Sequence, residues 1–132
     1  MTGRVAPTAK VLFLIRMAMA VGVVTFMLVA WFLRSRGGME TVPADKLATL
    51  TTVMYTAVAL AAAAVMLIRL RLAEASPDTR RTMSIAAWAV GEFAALFGGV
   101  LFLLAGAWPL VLPGALVFAL SLAAVPLPVE SR

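Results

Sequence analysis

The sequence contains no cysteine and no histidine among its 132 residues, and only 13% of those residues are charged. The absence of cysteine excludes disulfide bonds and thiol chemistry. The absence of histidine excludes histidine-ligated haem, ordinary zinc sites and imidazole proton relays. Because a soluble globular domain carries about 25% charged residues, too little polar surface is available here to cover a water-soluble core.

Hydrophobic residues make up 64% of the chain instead. A helix rises 1.5 Å per residue, so about 20 apolar residues cross the 30 Å hydrocarbon core of a bilayer. The long apolar runs cover residues 11–33, 47–68, 83–104 and 108–125. We therefore predict an all-α, polytopic membrane protein, one domain of residues 1–132 with four transmembrane helices in an antiparallel bundle.

The fourth run is interrupted by prolines. Pro109 and Pro113 stand near its start, and Pro126 and Pro128 follow its end. Proline lacks the N–H that a helix interior needs, whereas the first turn tolerates it. Pro113 therefore predicts either a kink or a helix start that is shifted inward, and Pro126 predicts the helix end.

The basic residues indicate the orientation of the spans, because lysine and arginine accumulate on the cytoplasmic side. One side carries Arg34, Arg36 and Lys46, and the other carries Arg4, Lys10, Arg16, Arg69, Arg71, Arg80, Arg81 and Arg132. We expect both termini in the cytoplasm, with the protein in the cytoplasmic membrane of a bacterium. Trp31 and Trp108 are expected at the outer interface, where indole rings accumulate. The net charge of +5 does not indicate a nucleic-acid partner, since no basic stripe with interleaved aromatics exists.

The connections offer little room for catalytic chemistry. In residues 34–46 Asp45 is placed to cap the second helix, and in residues 69–82 the sequence Ser76-Pro77-Asp78 predicts a turn. A phosphate-binding glycine loop, a nucleophile with a base and metal-ligand spacing are all lacking. The charged residues of the second connection could bind anionic headgroups, but they supply no nucleophile for a lipid-acting enzyme. We predict no enzyme activity, no cofactor and no metal.

Glu92 stands out near the centre of the third span. An ionisable residue at this depth costs a few kcal/mol, so it is a candidate proton- or ion-binding site. Its candidate partners within the membrane are Arg16, Thr56 and Tyr55. Two interpretations stay open: a structural pair between Glu92 and Arg16, or a functional carboxylate that exchanges a proton or a cation.

Small residues recur every four positions on the same span, at Ala87, Gly91, Ala95 and Gly99. Such spacing leaves a smooth stripe along one helix face, where a second helix backbone can approach closely. The stripe predicts helix packing. Whether the packed helix belongs to this chain or to another protein stays open.

The stretch from Trp88 to Gly99, WAVGEFAALFGG, resembles the proton-binding helix of the c-type proteolipid of rotary ATPases, where a mid-membrane carboxylate stands among alanine and glycine. The resemblance implies a rotor-like ring in which Glu92 carries the proton. It covers one helix of the four. The acid stands in the first helix of the second hairpin, and the first span contains Arg16 where that family has a glycine-rich repeat.

Two functional hypotheses follow from these features. The favoured one is a small integral membrane protein without catalytic chemistry, acting as a subunit or accessory component of a larger membrane assembly. The alternative is a small proton- or cation-coupled transporter, or a channel-like oligomer, that uses Glu92. Expected partners are the lipid bilayer and either other membrane subunits or further copies of the chain.

Overall fold

A computed structural model describes residues 9–37, 40 and 42–127. These residues form α1 (Ala9–Ser35), α2 (Ala44–Leu72), α3 (Pro77–Ala105), a 3₁₀ turn (Trp108–Leu110) and α4 (Val111–Ala124). The all-α prediction is confirmed. Helices α1, α2 and α3 are long and apolar enough to cross a membrane, and Trp108–Ala124 is a shorter apolar segment.

The long helices begin before their apolar runs, because polar residues form their first turns. Ser76 is the N-cap of α3: its hydroxyl accepts a hydrogen bond from the Thr79 N–H at 3.3 Å, and Pro77 occupies the first turn. Ser76 thus lies in the connection, but the predicted turn is wrong at Pro77 and Asp78, which belong to the first turn of α3. The predicted cap at Asp45 is also wrong, because α2 already begins at Ala44 and Asp45 lies inside its first turn. A carboxylate in the first turn stabilises the helix through its attraction to the positive end of the helix dipole.

The α-helical part of the fourth run begins at Val111, after the 3₁₀ turn, so Pro113 falls within the first helical turn. Its missing N–H has no intrahelical acceptor at this position. Of the two alternatives predicted from Pro113, a kink or an inward start, the structure has the inward start. Helix α4 ends at Ala124 with Pro126 beyond it, whereas Pro128 lies outside the described residues.

Helix α3 is the centre of the arrangement. It makes extended contacts with α1, α2 and α4, and α2 also contacts α4. Across the described ranges, no comparable contact joins α1 to α2 or to α4. Half of the apolar span of α3 is buried, against 11% for α1 and 17% for α2. The core therefore lies around α3, and α1 and α2 cover it from separate sides.

Contacts along the helices define their relative directions. Gly114 lies against Ala94 and Ala95, and further along α4 Ser121 lies against Gly91, so α4 runs opposite to α3. Helix α1 runs parallel to α3, because Gly22 is at the level of Glu92 and its later residues lie beside Gly99. Helices α1 and α3 therefore run in one direction and α4 runs in the other.

Candidate functional site

Glu92 lies midway along α3, about 22 Å from its N-terminal end at 1.5 Å per residue. Its side chain is half-buried, and its Oε1 atom would stand 3.8 Å from a Cβ built on Gly22. The carboxylate therefore lies directly against the backbone of α1. Among the residues that the structure describes, it has no hydrogen-bond or ion-pair partner.

The surroundings of Glu92 open towards the outer surface of the helices. Ala18 and Thr25 flank Gly22 at helical spacing on α1, and all three are exposed. On α3, the adjacent Phe93 is 63% exposed. Glu92 thus occupies the rim of the seam between α1 and α3, where small α1 residues leave the carboxylate accessible from the surrounding membrane.

Arg16 does not pair with Glu92. Its Nη2 donates to the Leu122 carbonyl oxygen at 2.6 Å, and its guanidinium carbon lies 5.5 Å from the centre of the Trp88 ring. Arg16 is also about 9 Å along α1 from Gly22, the residue that faces Glu92. The hypothesis of a structural pair is corrected: Arg16 binds the end of α4 instead.

Two further side chains bind the same helix end. The Trp88 indole N–H donates to the Val125 carbonyl at 2.7 Å, and Arg69 Nη1 donates to the Ala124 carbonyl at 3.4 Å. The last carbonyls of a helix lack intrahelical partners, and cations are favoured beside them. Leaving such a buried acceptor unsatisfied costs about 1–3 kcal/mol.

This cluster of donors around the end of α4 was not predicted from the sequence. One signal for it is present in the sequence. Pro126 ends a helix at the same depth in the membrane as basic residues on two other spans. Carbonyls exposed by an early helix end inside apolar surroundings require donors from elsewhere. Arg16 and Arg69 supply these donors and therefore have a structural role.

The candidate partners on α2 lie away from Glu92. Thr56 is exposed and donates to the carbonyl of Thr52 in its own helix at 2.9 Å. Tyr55 is 61% exposed and lines a groove between α2 and α4. Because Glu92 faces α1, the structure brings neither residue to the carboxylate.

The small-residue stripe is filled by helices of the same chain. Ala87 and Ala95 are fully buried. A side chain at Gly91 would overlap Ser121 of α4, and one at Gly99 would meet the Phe26 ring of α1 at 2.5 Å. The four stripe residues therefore pack this chain together, and they leave no open face for a further helix.

Within the described ranges, no group of three or more acidic side chains is arranged to hold a metal ion. Comparisons of the chain with protein-family models, with curated proteins and with solved structures find no match. The resemblance to rotary-ATPase proteolipids stays a prediction that rests on α3 alone.

Proposed function

We propose that this chain is a non-catalytic subunit or accessory component of a larger membrane assembly, and that Glu92 marks where another chain docks. The observation that carries the proposal is a mid-span carboxylate without a partner in the described part of its own chain. Polar groups inside a membrane pair with one another, because hydrocarbon cannot solvate them. A hydroxyl, amide or cation of a neighbouring subunit would supply the missing partner.

The shape around Glu92 supports a helix as the docking element. Ala18, Gly22 and Thr25 form an exposed face of small residues on α1, and small residues let a second helix backbone approach closely. The stripe on α3 is already filled, whereas this α1 face beside Glu92 is open to close approach. The same geometry would suit another subunit or a further copy of the chain.

The proposed topology has four crossings, with α4 as the fourth. Support comes from its packing along α3 and from the donors that satisfy its terminal carbonyls. Arg16 and Arg69 reach the end of α4, whereas Arg34 reaches the opposite end of α3. These three arginines therefore fall into the two groups used for orientation, which favours a cytoplasmic location of both termini in a bacterial membrane. Arg4 and Arg132 lie outside the described residues.

Proton or cation coupling is the second candidate function. It is favoured by the same unpartnered Glu92, because the missing side chain at Gly22 leaves the carboxylate open to the rim of the seam. In that case Glu92 would exchange a proton or cation with its surroundings, without a permanent partner. The two candidates differ in whether a second protein is bound at this position.

The first test compares complexes extracted gently from the native membrane. A tagged chain is sized, and its copurifying proteins are identified by mass spectrometry. With the natural sequence we expect a complex of fixed composition. With Glu92→Gln we expect at least half of the partner to be lost, because a neutral amide accepts a weaker hydrogen bond than a carboxylate does. Glu74→Gln is the matched control, because Glu74 is exposed in the connection between α2 and α3.

Three results are informative. Loss of the partner with Glu92→Gln alone supports docking at Glu92. A chain that emerges alone contradicts the proposal, whereas a homo-oligomer contradicts the subunit function but not the docking of a further copy at Glu92. Proton flux in proteoliposomes that disappears with Glu92→Gln, while the protein remains folded and without a partner, favours the coupling function.

A further inference from the structure

An apolar groove of about 550 Å³ runs between α1 and α4. We call it the tryptophan groove, because Trp31 and Trp108 line one end and are 62% and 65% exposed. Its walls and floor include Val24, Leu28, Phe102, Leu112 and Ala115. The groove exists because α1 and α4 both pack on α3 without an extended contact between them.

The length of the groove matches one leaflet of a bilayer. On α1 it extends from Ala20 to Trp31, which is about 16 Å at 1.5 Å per residue. Half of a 30 Å hydrocarbon core is about 15 Å. One end is therefore at mid-membrane, and the other is at the interface where indole rings accumulate.

Beyond Ala20 the groove is closed. Met19 and Leu122 pack into one cluster with Phe118, and Arg16 donates to the Leu122 carbonyl at 2.6 Å. A transmembrane helix of a partner would need a path through the whole bilayer, about twice the length of this groove. A single acyl chain that enters from the tryptophan end fits the length available.

Positive charge stands at the open end of the groove. Arg34 donates from Nη2 to the Leu104 carbonyl at 3.4 Å and from Nε to the carbonyl of Phe102, a residue of the groove floor, at 3.5 Å. Gly106 is left-handed, with φ of 75°, and any side chain there would overlap the Arg34 guanidinium. The end of α3 thus holds a cation beside the entrance, where the phosphate of a lipid would lie.

We propose that the tryptophan groove is a binding site for an anionic phospholipid, with one acyl chain in the groove and the phosphate beside Arg34. The lipid belongs to the leaflet at the Trp31 and Trp108 end. This site is distinct from the Glu92 rim and does not depend on the proposed subunit function. Apolar walls supply affinity for the chain, and the cation supplies selectivity for the headgroup.

Tryptophan fluorescence tests the proposal directly. The full chain is reconstituted in phosphatidylcholine vesicles that contain increasing fractions of acyl-brominated phosphatidylglycerol or acyl-brominated phosphatidylcholine. Bromine quenches indoles that it contacts, so Trp31 and Trp108 report on the groove, whereas Trp88 is fully buried. We expect half-maximal quenching at a roughly fivefold lower fraction of the anionic lipid, the effect of about one surface cation.

Two variants separate the groove from ordinary lipid contact. Ala115→Phe fills the groove and should remove the preference, whereas Ala119→Phe lies on an exposed part of α4 and should retain it. Arg34→Gln should reduce the preference while the amide still donates to the α3 carbonyls. Should Arg34→Gln unfold, loss of the preference of the natural chain in high salt is the substitute measurement.

Equal quenching by the two brominated lipids would overturn the proposal. So would a preference that survives in Ala115→Phe. A protein that occupies the groove and excludes both lipids, seen as quenching that appears only after its removal, would also overturn it.

Discussion

Helix α3 meets its two neighbours α4 and α1 in different ways. Against α4 the contact is made by backbone: a side chain at Gly114 would overlap the Ala94 carbonyl oxygen and stand 3.1 Å from the Ala95 Cα. Against α1 the contact is made by side chains, with Phe26 and Met27 filling the space above Gly99. The first seam cannot widen without separating two helices, whereas the second can adjust through rotamers.

This difference separates the structural part of the molecule from the part that is available for function. Around the α3 and α4 pair, the buried Trp88 and the two arginines close the end of α4. Helix α1 is largely exposed and borders both the Glu92 rim and the tryptophan groove. The surfaces that we propose for a lipid and for another chain therefore lie where the internal packing is least demanding.

The largest expected effect is from Gly114→Ala. Its new methyl group would meet backbone atoms of α3, which cannot move as a side chain can. We expect a loss of about 3 kcal/mol or more in the free energy of unfolding, at the upper end of overpacking costs, despite the better helix propensity of alanine. Titration with sodium dodecyl sulfate in mixed micelles, followed by circular dichroism, measures the change.

Gly22→Ala is the matched control, because its methyl group would stand 3.8 Å from the Glu92 Oε1, an ordinary van der Waals contact. We expect a stability equal to that of the natural chain or up to about 1 kcal/mol higher, from helix propensity. Equal losses for Gly114→Ala and Gly22→Ala would mean that the two seams do not differ.

The change in the free energy of unfolding caused by Gly99→Ala should lie between those caused by Gly114→Ala and Gly22→Ala. Its methyl group would meet the Phe26 ring at 2.5 Å and the Met27 sulfur at 3.1 Å. Both are side chains that can shift, so we expect a loss of about 1 kcal/mol. The same titration in Phe26→Leu, which removes part of the obstacle, should show a smaller loss for Gly99→Ala. A loss as large as that of Gly114→Ala would show that α1 is held as rigidly as α4.

The sequence was sufficient to predict the helices but not the partners of the polar side chains. Apolar length located the four helical segments. Proline chemistry left a kink and an inward start of the fourth helix as alternatives, and the structure has the start at Val111. The spacing of the α3 small residues predicted close packing, and α1 and α4 provide it. Polar partners could not be predicted, because the direction in which Arg16 points depends on which helix ends beside it. The sequence made Arg16 a candidate partner of Glu92, whereas in the structure Arg16 lies about 9 Å along α1 from Gly22 and binds the Leu122 carbonyl.

The smallest expected effect is the coupling between Arg16 and Glu92. In a double-mutant cycle with Arg16→Gln and Glu92→Gln, the free-energy changes should add within about 0.5 kcal/mol, as for sites without shared partners. Arg16→Gln alone should cost about 1–3 kcal/mol, because the Leu122 carbonyl loses a charged donor. Pairing Arg16→Gln with Trp88→Phe provides the positive control. Both side chains bind the end of α4, so the free-energy changes of the two substitutions should not add. A coupling above 1 kcal/mol would show that Arg16 and Glu92 form an ion pair, so that Glu92 has its partner within the chain. That result would remove the main support for docking at Glu92.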